Sequence, residues 1–346
     1  DGQPADIAAS LIDLAALQLS LGDLRYARML YRRGIEQAER AEQHTWLANA
    51  LEGYAHVLSE DGAPARAREH HERALRLREK LGDQLAVASS LHNMAIVESE
   101  LGHADEALGL FRRALEMRTE LRHAPHVLQT LRALAQAHRR AGKLDRALEA
   151  YEQARRIHRN MGDAGGALHA RAMMGAIRAE QGAHDEARRA LEAVANDARK
   201  SRDPLVATLA ATELATLHLG ADRPAEALAA AFASIGAARA VGKELAERLF
   251  SVGAAAAVRA GVAEAAYTFL DAGRAEALLQ HVLARDALLA VALPEVLTRE
   301  EAAARERVAA AASAVSGLPR GAPLRMRRDR QRDLQEAEIE LRVALA

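Results

Sequence analysis

The 346-residue sequence contains no cysteine, which excludes disulfides, thiolate metal centres and a cysteine nucleophile within it and points to a reducing compartment. Aromatic residues are scarce: one Trp, five Tyr and four Phe make up 3% of the chain, so any core must be assembled mainly from Ala, Leu and Val. Such side chains suit closely packed helices. Neither sign of charge dominates; the formal net charge of −1 gives no global pull toward nucleic acid or an anionic membrane. No apolar run approaches the roughly 18 residues of a membrane-spanning helix. The N-terminus, Asp1-Gly2-Gln3-Pro4, has neither the basic nor the apolar region of a secretory leader. These absences predict a soluble, cytoplasmic chain with no membrane partner. Because it begins on Asp1 rather than Met, it reads as part of a longer polypeptide.

What is present is a repeat. Gly22, Gly62, Gly102, Gly142 and Gly182 lie 40 residues apart, and each is followed five residues later by alanine: Ala27, Ala67, Ala107, Ala147 and Ala187. Asp222/Ala227 continues the series, since Asp tolerates the left-handed backbone that glycine supplies, and Gly261/Ala266 ends it one residue short. A second small-residue column, seven before the turn, reads Ala15, Ala55, Ala95, Ala135, Gly175, Ala215 and Ala254. A third reads Gly34, Ala74, Ala114 and Ala154, then departs to Val194, Ser234 and Gly273, so the pattern loosens toward the C-terminal units.

Apolar residues follow i, i+3, i+4 steps on either side of each turn, as in Leu91, Met94, Ala95 and then Leu108, Phe111, Ala114, Leu115. Each unit is therefore expected to be helix, turn, helix, with small residues at close approaches and Tyr31, Phe111, Tyr151 and Leu191 filling the gaps between units. One such pair cannot bury its own apolar faces. Stacking buries them continuously. Gly82 and Gly162 are placed to cap the second helix of their units.

These columns resemble the tetratricopeptide repeat (TPR), in a 40-residue form like that of spindle-orientation adaptors and bacterial peptide sensors rather than the usual unit of about 34 residues. The resemblance covers roughly residues 5–290. It implies an all-α, right-handed superhelical solenoid of about seven hairpins, near 5–43, 44–83, 84–123, 124–163, 164–203, 204–242 and 243–290, followed by an antiparallel helical hairpin over 291–346. In that family the first helix of each unit lines the concave groove. The implied contacts with a protein or peptide ligand are Asn49, Glu52, His56, Ser89, His92, Asn93, Gln129, Arg132, Gln136 and Arg139. Asn93 resembles the asparagine with which TPR adaptors grip a peptide backbone. Arg132, Arg139 and Arg140 suit an acidic segment, while Met173, Ala176 and Thr216 offer an apolar stretch. The plain alternative is that these are the ordinary solvated faces of surface helices.

Toward the C-terminus, Phe269-Leu270-Asp271-Ala272-Gly273-Arg274-Ala275-Glu276-Ala277-Leu278-Leu279 resembles the helix that closes the repeats in bacterial TPR–CHAT proteins. There a helical hairpin leads into a caspase-like protease domain. That resemblance implies the sensing half of a protease, with an intramolecular protease domain as one partner; a stand-alone adaptor or peptide-sensing regulator is the alternative. A basic run from Arg320 to Arg332 is followed at once by Asp333, Glu336, Glu338 and Glu340 and lacks interleaved aromatics, so it reads as a solvated hairpin face and nucleic acid is not expected.

Catalytic chemistry is not expected. His70 and His71 are adjacent on a helix and point apart, His123 and His126 flank a Pro-containing loop without carboxylate support, and Gly165-Gly166 lacks the lysine and hydroxyl of a phosphate loop. The reading is therefore no metal, no cofactor and no catalytic residue.

Overall fold

The computed structural model describes residues 4–273 together with Glu306, Arg307, Ala310 and Ser313. The proposed hairpin over 291–346, the basic run and residues 274–290 lie outside that description, apart from those four positions, which are helical. The chain divides into two compact units: Asp1–Ala63 with Asp286–Ala346, and Pro64–Arg285.

In the first unit, α1 (Pro4–Ser20), α2 (Leu24–Arg40) and α3 (His44–Glu60) pack consecutively, and α1 also meets α3. Closeness is enforced at glycine. A Cβ on Gly53 would lie 2.2 Å from the Tyr31 ring, and one on Gly34 would lie 3.1 Å from Ile12. Arg28 of α2 bridges to Asp61 beyond α3 at 2.8 Å.

The second unit holds α4 (Pro64–Leu81), α5 (Gln84–Glu100), α6 (Ala104–Glu120), α7 (Ala124–Arg140), α8 (Leu144–Asn160), α9 (Ala164–Glu180), α10 (His184–Ser201), α11 (Pro204–Gly220), α12 (Pro224–Phe232), a short 3₁₀ turn (Ala237–Ala240), α13 (Lys243–Arg259) and helical residues 263–273, here α14. Consecutive helices pack side by side, and α9 also meets α11, the relation that stacks one repeat on the next.

Why the chain turns where it does follows from its backbone. Gly22, Gly62, Gly102, Gly142, Gly182, Asp222 and Gly261 all have φ between 55° and 84°, the left-handed region open to glycine and tolerated by Asp. Each of the first five turns then closes with an amide reaching back five residues, as in His103 N to Glu98 O at 2.8 Å and Lys143 N to His138 O at 2.8 Å. The junctions between repeats use the same device at Glu42, Gly82, Arg122, Gly162 and Arg202. Asp23, Asp83, Asp163 and Asp203 cap the helices that follow them by accepting an N–H three residues on.

The core is the one the small-residue columns imply: Ala95, Ala107 and Ala114 have no exposed surface, and Phe111, Tyr151 and Leu191 are buried between helices. Burying one such large side chain contributes about 1.5–3 kcal/mol. Two departures occur late in the array. The second helix of the sixth repeat breaks after Phe232 near Ser234 and Gly236, both poor helix formers, and resumes only as a 3₁₀ turn. In the seventh, the small residue under the aromatic is Gly253 rather than the expected Ala254; a Cβ there would meet the Phe269 ring at 2.5 Å. The shortened turn has shifted the register by one.

Candidate functional site

The first helices of repeats three to six, α5, α7, α9 and α11, carry most of the residues expected to meet a ligand, but burial sorts them. Gln129, Arg132 and Gln136 on α7 are exposed, whereas Ser89, Asn93 and Arg139 are half-buried. His92 is 2% exposed, its ring edge-on to Phe111 at a centroid distance of 5.4 Å. In the first unit His56 is exposed, Asn49 half-buried and Glu52 only 8% exposed. The column through 52, 92, 132, 172 and 212 therefore does not form a uniformly polar face: apart from Arg132, its members are buried. The same holds for the expected apolar stretch, since Met173 and Ala176 belong to the core and Thr216 alone is exposed.

Arg139 is likewise committed. Its Nε donates to Glu180 Oε1 at 2.6 Å, linking repeats four and five, and this bond raises its pKa. Arg132 differs: it is exposed and makes no ion pair among the described residues.

Two cavities share Gln129 and Arg132. The smaller, about 280 Å³, runs between α5 and α7 past His92, Ile96, Gln136 and Arg140. The larger, about 520 Å³, lies between α7, α8, α9 and the start of α11 and is lined by Tyr151, His158, Gly166, His169 and Asp203 among others. Together they make a furrow of mixed polar and apolar lining along α5, α7 and α9, with α8 and the start of α11 at its larger end.

The electrostatics of the larger cavity are mixed. Tyr151 is 2% exposed and its hydroxyl has no hydrogen-bond partner among the described residues; burial pushes its pKa up to about 12, so it stays protonated. Burial first, then Arg132 and His158, holds His169 below the ordinary histidine value. His158 Nδ1 lies 2.8 Å from Asp163, whose carboxyl is held low chiefly by the Gly166 amide. Tyr151, His158, Gly166 and Asp203 were not singled out as contacts from the sequence; the signal that would have found them is the column 78, 118, 158, where arginine gives way to histidine.

Pro125 sits in the first turn of α7 rather than in a loop, and the His123 and His126 rings stack at 4.1 Å. One grouping of metal-type donors occurs among the described residues, Glu98, His103 and Glu106, with donor atoms within 4.8 Å of one another. Glu98 is already engaged by His103 at 2.6 Å and by Arg68 at 3.8 Å, so the trio reads as a buried carboxylate neutralised at a repeat turn. No helix of the described residues is long and apolar enough to cross a membrane.

Stacked helix pairs joined by left-handed turns, with a furrow opening between their first helices, define a helical-repeat scaffold. Residues 6–80, 46–120 and 86–160 match the tetratricopeptide repeat model, and the repeats over 6–160 are tetratricopeptide repeats. No curated protein matches the chain. Among solved structures, it is similar to a Signal Transduction ATPase with Numerous Domains from Pyrococcus horikoshii that carries a tetratricopeptide repeat sensor (18% identity, TM-score 0.56, 79% of this chain and 42% of that one). It is also similar to a Rap protein in complex with Competence and Sporulation Factor (16% identity, TM-score 0.53, 79% and 75%) and to BtubC (BKLC) from P. vanneervenii (22% identity, TM-score 0.50, 58% and 91%). At these identities the likeness is one of fold. It shows an all-α tetratricopeptide-repeat solenoid.

Proposed function

We propose that this chain is a non-catalytic regulatory scaffold that binds a protein or peptide along the furrow of α5, α7, α9 and α11. The observation that carries the reading is Arg132, an exposed cation without an ion pair among the described residues, lining both cavities. Gln129 and Gln136 on the same helix offer amides suited to a peptide backbone. Rap, held in complex with its factor, and the ATPase with a repeat sensor provide precedents on the same fold. Replacing both Arg132 and Gln136 by alanine is expected to weaken a captured partner about tenfold or more while leaving the thermal melting curve nearly unchanged, because both side chains are exposed. Unaltered affinity would remove the assignment.

The sequence Phe269–Leu279 favours a further step, in which the repeats are the sensing half of a CHAT protease and relay partner binding to a following protease domain. The alternative is a stand-alone adaptor in a bacterial cytoplasm. Sequencing the coding region beyond residue 346 decides between them: a segment carrying a His/Cys pair supports the protease reading, and a stop codon removes it.

A further inference from the structure

The larger cavity lies at a repeat junction that departs from the two junctions preceding it. At the junction of repeats two and three, Arg78 reaches from α4 to donate to Ser90 Oγ at 2.7 Å and Ala86 O at 3.4 Å on α5. At the next junction Arg118, 1% exposed, donates to Thr130 Oγ1 at 2.6 Å, His126 O at 3.1 Å, Ser89 Oγ at 3.2 Å and Gln129 Oε1 at 3.3 Å. A buried guanidinium thus fills each gap and ties one repeat to the next. At the junction of repeats five and six the equivalent residues are Ala198 and Ala210, both without exposed surface, so that gap is closed by small side chains instead.

The junction of repeats four and five has neither solution. Forty residues on from Arg118 stands His158, which lies against Gly166 at the start of α9 and turns its Nδ1 to Asp163, with no guanidinium to reach the positions beyond. The four positions that hold the Arg118 guanidinium recur as Gly166, His169, Ala170 and Gln129, and all four line the 520 Å³ cavity, with His158 itself. Beside them is the buried Tyr151 hydroxyl, without a hydrogen-bond partner among the described residues, a cost that a ligand would relieve. Asp203 and Arg132 both line the cavity, and the Asp163 carboxylate holds His158 at its edge.

We propose that this cavity takes an arginine side chain of the bound peptide, whose guanidinium supplies from outside the latch that Arg118 supplies internally one repeat earlier. The Gly166 carbonyl, the Asp203 carboxylate and the Tyr151 oxygen are the acceptors for its planar fork, and neutral His169 adds an imidazole lone pair. Lysine, a point charge without the fork, fits the same set less well. The proposal rests on the furrow being a peptide-binding surface and specifies which side chain anchors there.

The test is a titration of the whole chain with N-acetyl-L-arginine amide, following the backbone amide resonances of Gly165 and Gly166. The expected result is a saturable shift at millimolar concentration, about tenfold weaker with the lysine amide and absent with the glutamate amide. A second arm rebuilds the internal latch with His158→Arg and Ala170→Thr. This variant is expected to melt at a higher temperature and to lose the arginine-induced shift. Equal response to the three probes, or a stronger one to glutamate, overturns the proposal whether or not the variant folds; so does a folded variant that still binds the arginine amide. The two readings fail separately: a peptide that depends on Arg132 but tolerates loss of its arginines leaves the furrow standing and removes the arginine anchor.

Discussion

Tyr31 shows how little room separates successive helices. Its ring lies where a side chain on Gly53 would have to be, with hypothetical Cβ contacts of 2.2 Å. Gly53→Ala is therefore expected to destabilise the protein by about 1–3 kcal/mol, read as a lower urea midpoint, because neither ring nor helix backbone can move away cheaply. A neutral result would mean that α2 and α3 are packed more loosely than described. Arg118 makes the opposite point, that a buried cation can be structural. Its four side-chain bonds cross between α6, α5 and α7, and Arg118→Ala is expected to lower stability by about 2–4 kcal/mol by leaving those acceptors without their donor.

Turns decide where each helix ends, and here the sequence was most readable. A Cβ on Gly102 would meet nothing within 4 Å, so any loss on Gly102→Ala comes from the left-handed backbone alone; about 1–2 kcal/mol is expected from thermal or urea unfolding. The glycine and alanine columns were legible because backbone conformation and zero clearance leave no other residue a good choice, and they recur every 40 residues. Legibility failed where a side chain's fate depends on its neighbours. Glu52 and His92 look like solvated helix-surface residues in the sequence, yet they are buried, His92 against Phe111. Arg139 and Arg132 are indistinguishable as letters; only the position of Glu180 on the next repeat separates the committed cation from the available one. The break after Phe232 was visible merely as a loosening of the pattern, since Ser234 and Gly236 weaken a helix without specifying what replaces it.

Histidine burial gives the whole molecule a pH dependence. His70, His126, His138, His169 and His218 are all held below the ordinary value of 6.5, in each case first by burial. The unfolded chain then takes up protons that the folded chain refuses, so their contribution is fully present above about pH 6.5 and is lost as the pH falls through the depressed values. The melting temperature is expected to drop between about pH 7.5 and 5.5, and His138→Gln is expected to flatten that drop; a flat profile in the parent protein would contradict the assigned burial.

The proposed binding furrow is lined chiefly by first helices, with Tyr151 and His158 of α8 at its larger cavity, while the second helices α4 and α6 carry the Arg78 and Arg118 latches. That division is the account's central claim, and amide hydrogen exchange with and without a captured partner tests it most directly. Added protection is expected in residues 125–140 of α7 and 164–172 of α9, with α6 and α10 unchanged. Protection confined to α6, α8 and α10, or no change in α7, would contradict it.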